Sequence, residues 1–243
     1  MILYNTQHIF YVVQYYTGDC MPIPKMPSKS VPLTAKERVY SELKEWIVDG
    51  TLKEREKLSD REIANYFSVS RTPVREALQL LSEQKLVSIY PGRESLVAPA
   101  DRANNAHIYA IMAELQVLAV RFAYPNITDE IIGELENSNC RFSKALQAGN
   151  LDKMREHDLA FHKIIIQAAG NVFLTDFIET INTHIDRIEH LFFSNKSHYR
   201  INSADEHQTI IAALKHGNPT EAENTMRVNW LNTIEALKSK ENR

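Results

Sequence analysis

Asp158 and His162 stand four residues apart in "EHDLAFHKIIIQAAGN", a spacing that puts a carboxylate and an imidazole on one side of a helix, where both can share a divalent ion. His207 is a further imidazole in a second helical stretch. Without an ion the same residue types make a buried group hydrogen-bonded to itself, and the sequence leaves both arrangements open. A second chemistry lies in "SVSRTPVREALQLL", Ser68 to Leu81. Val74, Ala77, Leu78 and Leu81 follow the i, i+3, i+4, i+7 period of a helix with one buried stripe, while Arg71 and Arg75 share a different face. One side packs and the other is presented. Arginine on an opening helical turn can fork onto guanine O6 and N7 in a major groove, and the Thr72 hydroxyl can reach phosphate or base edges. Arg61, near the start of the preceding helix, and Arg93, at a hairpin tip, would flank that helix on the DNA backbone or in the adjacent minor groove.

Those side chains need elements to hold them. "TAKERVYSELKEWIVDG" carries a T-x-x-E box at Thr34 and Glu37, an apolar stripe of Val39, Leu43, Trp46 and Ile47, and Gly50 as a stop. "LSDREIANYF" repeats the box at Ser59 and Glu62. The short turn "SVS" then leads into the arginine-bearing helix, which Ser70 is placed to cap and in which Pro73 is tolerated near the start. "LVSIY" and "SLVA" around "PGRE" read as a hairpin turning at Pro91 and Gly92. Three helices and a hairpin predict a winged helix-turn-helix over residues 31–100.

Residues 1–30, with their Pro- and Ser-rich "PIPKMPSKSVP", read as a poorly ordered extension without assigned function, and Met21 or Met26 is an alternative first residue. After the linker "APADRA", residues 101–243 read as an all-α bundle of six helices near 103–123, 128–148, 151–168, 171–197, 203–216 and 219–239. Ser203 with Glu206, and Asn218 with Pro219 and Glu221, mark two capped starts. The fold class expected is therefore mainly α.

Composition narrows the function. The chain has 243 residues, of which 44% are hydrophobic and 24% charged, enough for two modest cores. Residues 25–100 hold thirteen Lys and Arg against eleven Asp and Glu, whereas residues 101–243 hold fifteen against nineteen. A binder relying on bulk charge needs a larger excess, so placement has to carry nucleic-acid recognition. Cys20 and Cys140 lack the spacing of a metal site or disulfide framework, which points to a reducing cytoplasm. No uninterrupted apolar run approaches a membrane span, and no membrane partner is expected.

"VYSELKEWIVDGTL…LSDREIANYFSVSRTPVREALQLLSEQKLVSIYPGRESLVAPAD" resembles the N-terminal domain of GntR-family bacterial transcription regulators, and "VSRTPVREAL" is the most specific part of the match. The resemblance implies DNA contacts at Arg61, Arg71, Thr72, Arg75 and the wing-tip Gly92. This chain departs from the family at Ser68, where glycine is usual, and at "KEREK", where Pro-Gly is usual; each loses a glycine suited to positive φ.

The rear half is similar to the FCD effector domain of the FadR-like subgroup, through "EHDLAFHKIIIQAAGN" and "DEHQTIIAALKHGNPTEAENTMRVN". That implies an Asp-His-His cage for Zn, Ni or Mn from Asp158, His162 and His207, with Asn229 where a further histidine is common. An amide oxygen there is a weaker ligand than imidazole. Met112 and Gln116 stand where the family often has arginine and glutamate in the effector pocket; losing the arginine removes an anchor for a carboxylate and weakens the inherited expectation of an organic-acid effector.

The implied function is a homodimeric regulator, more readily a repressor, that binds a two-fold DNA operator and responds to a small molecule. One alternative is a metal-responsive regulator without an organic effector. The other, a metal-dependent enzyme, lacks any motif for a general base or nucleophile.

Overall fold

The computed structural model describes residues 33–90, 95–100, 105–192 and 202–241. The expected extension over residues 1–30, and Gly92 and Arg93 at the expected wing tip, lie outside them.

The chain runs α1 (Ala35–Val48), β1 (Lys57–Leu58), α2 (Asp60–Phe67), α3 (Arg71–Glu83), β2 (Val87–Ser88), β3 (Ser95–Val97), then α4 (Asn105–Ala123), a 3-10 turn (Tyr124–Asn126), α5 (Asp129–Gln147), α6 (Leu151–Ala169), α7 (Val172–Phe192), α8 (Ser203–Lys215) and α9 (Pro219–Glu241). The stripes read from sequence are the buried ones. Val39, Leu43 and Ile47 of α1 pack with Val74, Ala77, Leu78 and Leu81 of α3, and Leu86, Val87 and Val97 close this first core from the sheet. Fully burying side chains of this kind contributes roughly 1.5–3 kcal/mol each, which offsets the ordering of three short helices.

The expected hairpin pairs Val87 with Val97 and Ser88 with Leu96. A third strand, β1, pairs Lys57 with Leu96 and Leu58 with Ser95, giving the order β1-β3-β2. The sequence reading did not include it. Two residues have no period of their own, and this strand exists only through its partner. Arg55 in "KEREK" and Ser68 in the turn both adopt positive φ, 64° and 55°, so both family glycines are replaced at left-handed positions.

The rear helices share a separate apolar core that includes Tyr109, Met112, Val120, Leu135, Phe161, Ile165, Ile178 and Ile210. α4 packs against α6, α7 and α9, α5 against α6 and α8, and α8 against α9. Side-chain caps at Thr128, Asn150 and Asn218 accept the N–H of Ile131, Lys153 and Glu221 and fix three helix starts. Ser203, by contrast, is not a cap. Asn202 takes that position without a side-chain bond, and Glu206 turns instead to α9, accepting from Asn229 and Asn232 at 2.7 and 2.6 Å. Among the described residues the helix Ala106–Asn126 is long and apolar enough to cross a membrane by length and composition, with mean hydropathy 1.3. Its apolar residues Tyr109, Met112, Ala119, Val120 and Ala123 belong to the bundle core, which accounts for the composition.

Candidate functional site

The arginine-bearing end of α3 is held by its neighbour. Ser59 Oγ accepts the Glu62 N–H at 3.3 Å and starts α2, which ends where left-handed Ser68 sends its N–H back to Ala64 and Asn65. Trp46 stacks on Phe67 with centroids 5.8 Å apart, and Arg38 Nη2 donates to the Phe67 carbonyl at 3.0 Å, pinning the turn to α1. Ser70 occupies the cap position of α3 in extended conformation, but its side chain makes no cap bond, contrary to the sequence expectation. α3 also lacks an acidic residue in its first turn. Its positive end therefore remains suited to an external anion such as phosphate.

Arg71 and Arg75 project from that end with side chains 55% and 65% exposed. Both converge on Asp60 at the start of α2. Arg71 Nη2 lies 2.8 and 2.9 Å from the two carboxylate oxygens, and Arg75 Nε donates to Oδ2 at 2.8 Å. The bond from Arg71 is the main cause holding the Asp60 carboxyl below its ordinary range. Arg75 thus uses only Nε on the protein, and its two Nη groups, chemically able to fork onto a purine edge, have no partner among the described residues. Thr72 and Arg61 are exposed beside them, on α3 and α2. Sequence reasoning missed the Asp60 clamp, which joins residues 11 and 15 positions apart.

In the bundle, α6 and α8 bring Asp158, His162 and His207 together, with ligand atoms all within 4.8 Å of one another. Ligand atoms on one tetrahedral ion stand about 3.4 Å apart, so the widest pair has to close by up to about 1.4 Å to hold it. The protonation pattern around His207 is set by its neighbours. Asn139 Nδ2 donates to the Ala204 carbonyl at 3.0 Å, which turns Oδ1 toward His207 Nδ1 at 3.2 Å. An amide oxygen only accepts, so Nδ1 carries the proton and Nε2 holds a lone pair. That Nε2 faces Asp158 Oδ1 at 3.5 Å and has no hydrogen-bond partner. Two acceptors thus oppose each other, the imidazole buried and the carboxylate half-buried.

His162 Nε2 stands 3.9 Å from Asp158 Oδ2, and its Nδ1 is buried without a partner. Burial pushes His162 down to about 4 and His207 well below its ordinary value, so both imidazoles are neutral near pH 7 and ready as ligands. Phe161 stacks on His207 at 3.9 Å and fixes its ring plane. The orphaned His207 Nε2, the His162 Nε2 on the other oxygen of the Asp158 carboxylate and the Asn139 support fit a divalent ion. Asn139 was legible only as a polar residue interrupting the α5 stripe of Ile132, Leu135 and Phe142.

A cavity of about 40 Å³ adjoins the cluster, bordered by Asp158, His162, Tyr109, Asn182, Asn229 and Trp230 among others. Asn229 commits its nitrogen to Glu206 and can offer only Oδ1 to an ion. Met112 and Gln116 are fully buried on α4, one and two turns beyond Tyr109 on the same face, and do not line this cavity. Gln116 Nε2 sits 3.8 Å from Met112 Sδ, and its Oε1 has no partner.

Residues 35–97 match the family model for bacterial regulatory proteins of the gntR family, and residues 107–230 match the FCD domain. The HTH-type transcriptional repressor RspR of Escherichia coli (strain K12) is 30% identical over 66% of this chain and 71% of its own length. The HTH-type transcriptional regulator YdhC of Bacillus subtilis (strain 168) is 26% identical over 82% of this chain and 89% of its own. Among solved structures, E. coli McbR/YncC superposes with a TM-score of 0.68 at 21% identity, covering 86% of this chain and 99% of that one, a likeness of fold. The family and these relatives are regulators rather than enzymes, which removes the metalloenzyme alternative. An exposed arginine pair at the leading end of a helix-turn-helix, matched family models and a related repressor agree: the chain is a DNA-binding transcription regulator of the gntR family, with an FCD domain behind its DNA-binding head.

Proposed function

We propose that this regulator is a cytoplasmic homodimeric repressor whose grip on a two-fold operator depends on a divalent ion, Zn, Ni or Mn, held by Asp158, His162 and His207. The opposed acceptors of His207 Nε2, which is buried, and Asp158 Oδ1, which is half-buried, 3.5 Å apart, carry this reading, because a positive centre between them relieves a repulsion that the fold otherwise retains. Asn229 Oδ1 is the fourth donor and a weak one, which leaves that corner to a small anionic effector such as an organic acid. Tyr109 is the α4 residue beside that corner, and Met112 and Gln116 are buried further along the same helix face. The working halves are residues 31–100 for DNA and 101–243 for effector and dimer.

On DNA, α3 lies in the major groove with Arg71, Thr72 and Arg75 at base edges or phosphates, and Arg61, Gly92 and Arg93 lie along the backbone. Two heads are needed because one offers too few base contacts for a specific site. The repressor assignment is supported by the likeness to the transcriptional repressor RspR.

The size of the cavity favours a second reading. About 40 Å³ admits an ion with a few waters or a very small ligand, which fits a regulator that answers to the metal alone. Native mass spectrometry of freshly purified protein separates the two. The first reading expects dimers retaining one metal per subunit with a small organic mass, the second expects dimers with metal alone, and monomers without metal contradict both.

A further inference from the structure

A second cavity, of about 520 Å³, lies where the DNA-binding head meets the helical bundle. It shares no lining residue with the cavity beside Asp158. One wall is the end of α3 and the turn after it, Glu83 to Lys85, with Pro99 and Ala100 following β3; the other is α7 together with Ile108 of α4. Its volume is within the roughly 300–1,000 Å³ typical of small-molecule sites.

The lining has two characters. Ile108, Ile181 and Ile188 supply an apolar surface. Arg187 supplies a cation that is only 3% exposed, donates Nη2 to the Ala98 carbonyl, and keeps an Nε with no hydrogen-bond partner. A buried guanidinium N–H left unmade is costly, and an anion is the partner that satisfies it best. Lys85 adds a second cation at the rim, held there by a left-handed backbone with φ 58°. His184 on the same wall is held below its ordinary value first by burial, with smaller repulsions from Arg187, Lys85 and Lys44. The opposing charges are Glu83, which accepts from Gln79, and Glu54, which acts on Arg187 from outside the lining.

We propose that this junction is a second ligand site, taking an amphipathic organic monoanion whose carboxylate pairs with the Arg187 guanidinium and whose apolar body lies on Ile108, Ile181 and Ile188. Such a ligand touches the end of the reading helix and the bundle together. It therefore biases how the head is seated, to the extent that it prefers one seating over another.

The test is isothermal titration of the full-length protein with 2-naphthoate and with its neutral counterpart, 2-naphthamide. The carboxylate is expected to bind wild type and Asp158→Asn alike, and the amide at least about tenfold more weakly. Arg187→Met and Ile181→Trp, the first removing the cation and the second filling the cavity, should each weaken the carboxylate by at least about tenfold. If Arg187→Met unfolds, Ile181→Trp decides. No saturable binding up to about 5 mM, equal binding of acid and amide, or indifference to Ile181→Trp overturns the assignment. Loss of binding in Asp158→Asn alone moves the ligand to the other cavity and overturns it too.

Discussion

Replacing Asp158 with asparagine should move stability in opposite directions with and without metal. In metal-free protein the carboxylate faces the His207 Nε2 lone pair at 3.5 Å, and Asn139 fixes the tautomer that puts the lone pair there. An asparagine at 158 can turn an N–H toward that nitrogen while its oxygen still accepts whatever the carboxylate accepted. One new buried hydrogen bond is worth about 1 kcal/mol, which at this chain length raises Tm by roughly 2–4 °C. In wild type, zinc at about a hundred times its Kd adds about 2.7 kcal/mol, a rise of roughly 5–10 °C, and the variant should lose most of it. Scanning calorimetry in chelator and in saturating zinc reads both. The variant is expected to melt above wild type in the first and below it in the second. A variant that melts below wild type by the same amount in both would mean that the three residues are an ordinary polar network, and the reasoning from lone pairs fails.

Three more expectations follow from particular contacts. Asp60→Asn releases Arg71 and Arg75 and removes a negative charge from the DNA face, so binding to a random duplex should tighten by about 3–10-fold and the salt dependence steepen by about one ion, measured by fluorescence anisotropy across salt concentrations; weaker binding contradicts this. Ser68→Gly relieves a left-handed residue at φ 55° and should stabilise by up to about 1 kcal/mol in chemical denaturation, whereas a loss of stability would mean that the serine side chain contributes more than its backbone strain. In chelator, stability should rise with pH between about 4 and 6.5, because the unfolded chain binds a proton at His162 that the folded chain refuses. That contribution is fully present above pH 6.5 and lost as pH falls toward 4; a flat urea midpoint over this window contradicts it.

The legible parts of this molecule are those that repeat locally. The boundaries of α3 followed from four apolar positions at helical spacing, and the caps at Ser59 and Asn218 from side chains that reach only three residues ahead. Asp158 and His162 were readable for the same reason, since one helix sets both. What escaped depends on distant chain. β1 is a strand only beside β3, Glu206 leaves its expected cap for two asparagines of α9, and Asp60 meets arginines from another helix. Tertiary contacts outcompete local ones where a buried or charged partner is on offer, as Glu206 illustrates, and local periodicity carries no trace of that competition.

The central claim is that α3 delivers Arg71 and Arg75 to base edges. Its most direct test is a gel-shift titration of Arg71→Ala and Arg75→Ala on a duplex enriched from a random library by the wild-type protein, with a scrambled duplex alongside. Each variant, still folded, should lose about 1–3 kcal/mol on the enriched duplex, roughly 5–150-fold, and much less on the scrambled one. Affinities within about twofold of wild type on both duplexes, for both variants, would contradict it.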